Sequence, residues 1–482
     1  MYGIATGKSN KCPYSFFGFN WPHLSLSYVE QSRKEHWRSL GLFVTIGYLI
    51  LGRSFAYFGI PQLKLFIAEL LICAFLLLQP RAVLDVWFTS VQNRTYLREL
   101  CIGIGVFVIT GVIEVCRGIQ HEYPSITALR DFAFNYYCLY LFFGIFLGGR
   151  YRGWLKALVV RLAWWNGVYG LAYLAILNKV DILIPGTSNP PASIFGQPGG
   201  SALAILGLLC YRKQWTRLSV IAVLLNTLVL LGMEVRAEWL GFIVGVALYC
   251  YLTKSYSNVL IGCGTILGVL ALSYALDISV PKPSSRGGGS MSAREIIGRA
   301  ISSVDKETAA EYSKDAKTAT ETAEWRTTWW KAIYHSVTNQ DESTTILGHG
   351  YGYPLTDLVW YLRGRHFLRT PHSYFFYALG YGGWGLLTAF LVMQLLIGVL
   401  LWRAFQISGQ PFPLITWAVL LTWGLFDSSF ETPIRAVPFY IIVGAGISPV
   451  LLFEKYRQQY GSLKSLTIIK YRTRPQVSGV GN

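Results

Sequence analysis

Apolar runs of about 16 to 25 residues recur along this chain, and that is the length a helix needs to cross the hydrocarbon core of a bilayer. Soluble domains do not repeat such runs, because their helices and strands keep polar faces toward water. Composition agrees. Charged residues make up 14% of the 482, and mean hydropathy is +0.40, whereas soluble domains carry about a quarter charged residues. Many of the 16 Trp, 30 Tyr and 27 Phe flank the runs, as interfacial belts require.

The runs have cores near 40–59, 64–79, 101–116, 131–148, 155–177, 200–211, 218–233, 238–253, 258–276, 373–402, 412–426 and 436–453. They predict an all-α polytopic membrane protein of about 12 transmembrane helices. The sixth is short and opens in a Gly- and Pro-rich stretch, which suits a half-helix or a re-entrant segment. Residues 1–39 form an N-terminal segment with no cleavable signal pattern. Helices 1–9 occupy 40–276, a large polar segment 277–371, helices 10–12 372–453, and a basic tail 454–482.

The net charge of +17 is better explained by orientation than by nucleic-acid binding. With the N-terminus in the cytoplasm, inside loops carry Arg81, Arg94 and Arg98, then Arg150, Arg152 and Lys156, then Arg212, Lys213 and Arg217, then Lys254, then Arg403. Each is basic, as the positive-inside rule requires, and 277–371 falls outside. Within it, 281–293 reads as linker, about 294–338 as helix with an apolar face of Trp325, Trp329, Trp330 and Ile333, and 339–371 as loop. All eight cysteines except Cys12 lie in or beside apolar runs without a C-x-x-C pair, so they read as packing residues.

The outer boundaries gather arginines. Arg236 sits in a short turn, Glu234-Val235-Arg236-Ala237-Glu238; Arg326 opens the Trp-rich helix; Arg117, Arg130 and Arg435 flank other boundaries. One such arginine is ordinarily a snorkelling anchor. Several of them, placed against the positive-inside bias, suggest a shared anionic ligand, because guanidinium matches phosphate oxygens in bidentate geometry. Of the outer histidines His121, His335, His349, His366 and His372, only His372 stands directly before a long apolar helix, after Pro371. It suits a general base near neutral pH, or an interfacial cap. Asp427 and Glu431 share a turn with Arg435 and read as ion-pair partners.

No D-x-D, H-E-x-x-H, G-x-x-x-x-G-K-[ST] or G-x-S-x-G occurs, so neither a metal nor any other cofactor is expected. Gly348-His349-Gly350-Tyr351-Gly352 reads as a turn, because no strand precedes it. Gly380, Gly382, Gly383 and Gly385 read as close-packing residues in a membrane helix.

Five stretches together resemble the O-antigen ligase and O-antigen polymerase superfamily of bacterial envelope glycan assembly. They are Ile194-Phe195-Gly196-Gln197-Pro198; Glu234 to Trp239; Trp325-Arg326 to Trp330 with Gly348 to Gly352; His372-Ser373-Tyr374 through Gly382-Gly383-Trp384-Gly385-Leu386-Leu387; and Phe426 to Pro433. The likeness covers roughly residues 40 to 453. It departs at Ser373, where family members often have Asn, and at Pro198-Gly199, where they often have Pro-Asn.

The resemblance implies a metal-independent, inverting glycosyltransferase in the bacterial cytoplasmic (inner) membrane, working on its outer side. The donor would be a glycan on undecaprenyl diphosphate, and the acceptor either lipid A core or another lipid-linked glycan. Arg236 and Arg326 would neutralise the departing diphosphate and His372 would act on the acceptor hydroxyl, with Arg117, Arg130, Arg435 and Tyr374 as further substrate contacts among membrane lipids. An anion or small-solute transporter is the alternative of a different class; it would be expected to carry paired inverted repeats, and none is evident.

Overall fold

The computed structural model describes residues 28–460, apart from 61–64, 94–95, 181, 186, 188–190, 212–214, 278, 282–289, 302–306, 309–313, 366–367 and 369. Among these the chain is almost entirely helical, with two short two-stranded ribbons. Cys12, His366, most of the N-terminal segment and linker, and the tail beyond 460 lie outside the described residues.

The twelve apolar cores are largely helical, although 40–59 is broken at Gly52 and 131–148 runs through several short helical pieces. Four helices are long and apolar enough to cross a membrane: Tyr96–Gln120, Ser125–Arg150, Tyr374–Ser408 and Pro433–Arg457. A fifth span arises if Ile67–Leu78 and Pro80–Val91, bent by 71°, are one. The bend has a local cause. Pro80 has no N–H to continue the ladder and pushes Gln79 off helical geometry, to φ −129° and ψ 44°. The stretch beyond it, Pro80–Asn93, is helical too, although its apolar residues are too dispersed to read as a membrane run.

The shorter apolar helices are Ser201–Tyr211, Arg217–Gly232 and Phe412–Phe426. At about 1.5 Å per residue, Ser201–Tyr211 reaches only about half the bilayer core, as a half-helix would. The stretch 191–200 before it is not helical. It is pinned instead, by Gly199 N–H donating to Leu49 O at 2.9 Å and by Gly196 lying so close to the Leu51 carbonyl that a Cβ would not fit. A fully buried polar knot fixes its end: Asn166 Nδ2 reaches Ser201 Oγ (2.8 Å) and Asn226 Oδ1 (2.9 Å), Asn226 Nδ2 donates to Ala163 O (2.7 Å), and Gly200 N–H donates to Asn166 Oδ1 (3.3 Å). Irregular backbone at membrane depth is tolerated only where protein groups satisfy it. Small residues set the closest helix pair: Gly144, Gly148 and Gly444 let Tyr140–Arg150 lie backbone to backbone against Pro433–Tyr460.

Within 277–371 the described residues include the helices Ala293–Ile301 and Lys314–Thr338, and the stretch expected as loop carries a short helix of its own, Glu342–Leu347, capped by Asp341, and a 3-10 turn at Leu355–Leu358. On Lys314–Thr338, Trp329, Ile333 and Val337 are buried while Trp325 and Trp330 are half-buried. Trp330 stacks on Phe376 and donates Nε1–H to Pro371 O at 2.7 Å. The Gly-rich stretch is the turn that seats the loop: His349 and Gly350 N–H donate to Gly380 and Tyr381 carbonyls at 3.0 and 2.8 Å.

That seat explains the glycines of Tyr374–Ser408. Gly382 and Gly383 interrupt its helical geometry, Gly383 at φ 58°, and a Cβ on Gly383 would lie 2.5 Å from Ile346 O and 2.6 Å from Gly348 N. The partner of Gly383 is the 346–348 stretch and not a neighbouring membrane helix, whereas a Cβ on Gly382 would meet Leu386 of its own helix. Gly383→Ala is therefore expected to unseat the loop at a cost on the order of 2–3 kcal/mol. Limited proteolysis between 339 and 365 should become faster; an unchanged cleavage rate would refute this account.

Candidate functional site

A cavity of about 1500 Å³ opens between the end of Tyr28–Leu51 with Arg53, Tyr173, the pinned 191–199 stretch, residues 233–240, the Lys314–Thr338 helix near 324–331, and 426–435. Arg236, Arg326 and Arg435 all line it, with Arg53, Gln197, Glu234, Glu238 and Asp427. Three elements distant in sequence thus bring three boundary arginines to one concavity. Arg236 is the first residue of the Arg236–Thr253 helix, entered through Glu234 at φ 53°. Arg326 projects from the Lys314–Thr338 helix and donates Nη1–H to Phe426 O at 2.9 Å.

His372 does not itself line the cavity, but its partner does. Nδ1 of His372 lies 3.5 Å from Asp427 Oδ1, and the imidazole sits edge-on to Trp325, ring centroids 6.1 Å apart. The backbone there has φ 55°, a conformation uncommon for residues other than Gly, though Asn, Asp and His enter it more readily than the rest. Left-handed residues at both His372 and Glu234 are local strain held by surrounding structure, which is found where groups must be aimed.

Asp427 is the residue that sequence reasoning passed over as a plain ion-pair partner. Burial pushes its carboxyl up, but the Arg435 guanidinium, the contact with His372 and the charge of Arg326 outweigh burial and hold it well below the usual carboxylate range. It is an anion beside an imidazole. Arg53 was also missed. Its signal was a lone charge inside an apolar run, which is costly enough to be a hint.

The other site candidates lie elsewhere. Arg117 pairs with Glu114 at 2.6 Å and clasps the carbonyls of Leu347 and Gly348, the latter at 3.0 Å; it ties the 347–348 turn to Tyr96–Gln120. Arg130 is exposed on Ser125–Asp131 and does not line the cavity. Tyr374 is buried against Phe390 and Phe430, so it is a packing residue with no face for a sugar. His349 is held neutral by burial and by Arg117, down at about 4, with Nε2 3.0 Å from Ser336 Oγ and its ring stacked on Tyr353; it braces the loop. Among the described residues, no group of three or more His, Cys, Asp or Glu could hold a metal ion.

Glu431 closes the 427–432 turn by accepting the Ser429 N–H at 2.8 Å, while its Oε1 is buried without a hydrogen-bond partner. Burial, and then the nearby Asp427 charge, raise its carboxyl from 4.5 to about 7. A raised folded-state value favours the protonated form, so this group's contribution to stability is complete below 4.5 and is lost as pH rises through about 7. Glu431→Gln keeps the acceptor and removes the titration. It should raise the thermal midpoint at pH 8, by the equivalent of about 2–3 kcal/mol, and leave it unchanged at pH 4. A midpoint that does not respond to the substitution at pH 8 would rule this out.

No protein-family model and no curated protein matches this chain.

Proposed function

We propose that this chain is a glycosyltransferase of about 12 spans in the bacterial cytoplasmic membrane, with 277–371 on the outer side. It transfers or polymerises a glycan from an undecaprenyl-diphosphate-linked donor, as O-antigen ligases and polymerases do. The observation that carries this reading is the cavity itself: Arg236 and Arg326 face the space that Asp427 borders, and Asp427 backs onto His372. A diphosphate with its first sugars fits a volume of about 1500 Å³.

The chemistry follows from those groups. An acceptor hydroxyl oxygen attacks the anomeric carbon; the bond from that carbon to the diphosphate oxygen breaks, and its electron pair leaves on the diphosphate. Negative charge grows there, and guanidinium groups stabilise it without proton transfer. The hydroxyl proton passes to Nε2 of His372, whose Nδ1 faces Asp427 and is thereby oriented, so the imidazolium that forms is stabilised by the carboxylate.

Because arginine supplies the neutralising charge, transfer needs no divalent cation. Purified protein mixed with membrane lipid carrying the native lipid-linked glycan should release undecaprenyl diphosphate and extend or transfer the glycan in excess EDTA. Loss of transfer in chelator with recovery in Mg²⁺ or Mn²⁺ would exclude the metal-free mechanism. Absence of diphosphate release under every condition would exclude the enzyme.

A further inference from the structure

Of the cavity arginines, Arg435 is engaged at both ends of its guanidinium. Nη2 donates to Glu238 Oε1 at 3.1 Å and Nη1 to Asp427 Oδ2 at 2.8 Å, and the group lies 5.1 Å from the Trp423 ring centroid. Trp423 in turn donates Nε1–H to Glu238 O at 3.3 Å and packs so tightly on Gly241 that no Cβ would fit there. The other oxygen of Asp427 faces His372. Contacts therefore run continuously along Glu238, Arg435, Asp427 and His372, from the start of Arg236–Thr253 to the start of Tyr374–Ser408.

We infer that Arg435 is a positioning residue and not a ligand of the donor diphosphate: anchored on Glu238, it holds Asp427 where it orients the imidazole of His372. This inference rests on the glycosyltransferase reading. Its physical basis is the planar fork of guanidinium, which cannot rotate when both edges are bonded. The side chains of Arg435 and Glu238 are only 15% and 5% exposed, so removing the arginine leaves two carboxylates in a poorly solvated place without the cation they share. A phosphate bound at Arg435 would first have to displace one of those carboxylates, and would then sit against its charge.

The test separates binding from turnover in purified Arg435→Gln, Arg435→Lys, Asp427→Asn and Arg236→Ala proteins. Undecaprenyl diphosphate is the binding probe, and transfer from the native lipid-linked donor is the second readout. Arg435→Gln is expected to bind the probe within about 3-fold of wild type yet transfer about 10²-fold more slowly, a typical loss when a supporting partner is removed. Arg435→Lys should recover part of that rate. The double variant Asp427→Asn with Arg435→Gln should be no slower than Asp427→Asn alone, because both act on one group. If Arg435→Gln does not fold, Glu238→Gln removes one anchor only, and should slow transfer about 10-fold with binding intact.

Two results overturn the inference: loss of probe binding in Arg435→Gln matching that of Arg236→Ala, or a full rate in Arg435→Gln and in Glu238→Gln. Both leave the function standing. Full rates in Arg236→Ala and His372→Ala would instead remove this site from the reaction, and this role of Arg435 with it, whereas no transfer by the unsubstituted protein under any condition would remove the function.

Discussion

His372→Ala should slow glycan transfer by about 10²–10⁴-fold and leave binding of undecaprenyl diphosphate close to wild type. The size follows from the role. With Nδ1 turned toward Asp427 at 3.5 Å, Nε2 is the nitrogen left to take the acceptor proton. Alanine also pays a backbone cost of about 1 kcal/mol at φ 55°, which histidine tolerates better. His372→Asn is the matched control. Asparagine accepts the left-handed conformation and can bond Asp427, but it cannot act as a base, so it should be as slow as alanine with better folding. A well-expressed His372→Asn protein with normal transfer would remove His372 from the mechanism.

The second large effect is expected at Arg236. Arg236→Ala should weaken undecaprenyl diphosphate binding and slow turnover together, by about 10²–10³-fold in combined efficiency, since phosphate charge increases as the glycosidic bond breaks. Arg236→Lys should restore only part, because a point charge lacks the bidentate fork. Arg326→Ala should behave similarly but less severely, as its Nη1 also serves the Phe426 carbonyl. Unchanged probe affinity in both alanine variants would show that the diphosphate lies elsewhere.

These two expectations rest on different levels of information. That Arg236 and His372 stand at the mouths of apolar helices is visible in the chain itself, from where charge meets hydropathy. That Asp427 stands between His372 and Arg435 is not, because 55 residues and two helices separate the first pair. The same limit applied to Arg117, which by boundary position alone looked equivalent to Arg236. Only its contacts with Glu114, Leu347 and Gly348 reveal a clasp for the loop.

By itself, then, the sequence determined the membrane character, the positions of the apolar helices, the half-length of the sixth and the turn at Gly348–Gly352. All of these are local: hydrophobic run length, helix breakers and glycine conformation act within a few residues. Tertiary structure alone decided which boundary arginines share a cavity, that Tyr374 is buried, and that Gly383 receives the 346–348 stretch instead of a membrane helix. The physical reason is that hydropathy assigns each residue a depth in the bilayer but no azimuth around the bundle. Azimuth comes from close packing of particular surfaces, such as Gly144 and Gly148 against Ile441 and Ala445, and packing joins residues that no spacing along the chain connects.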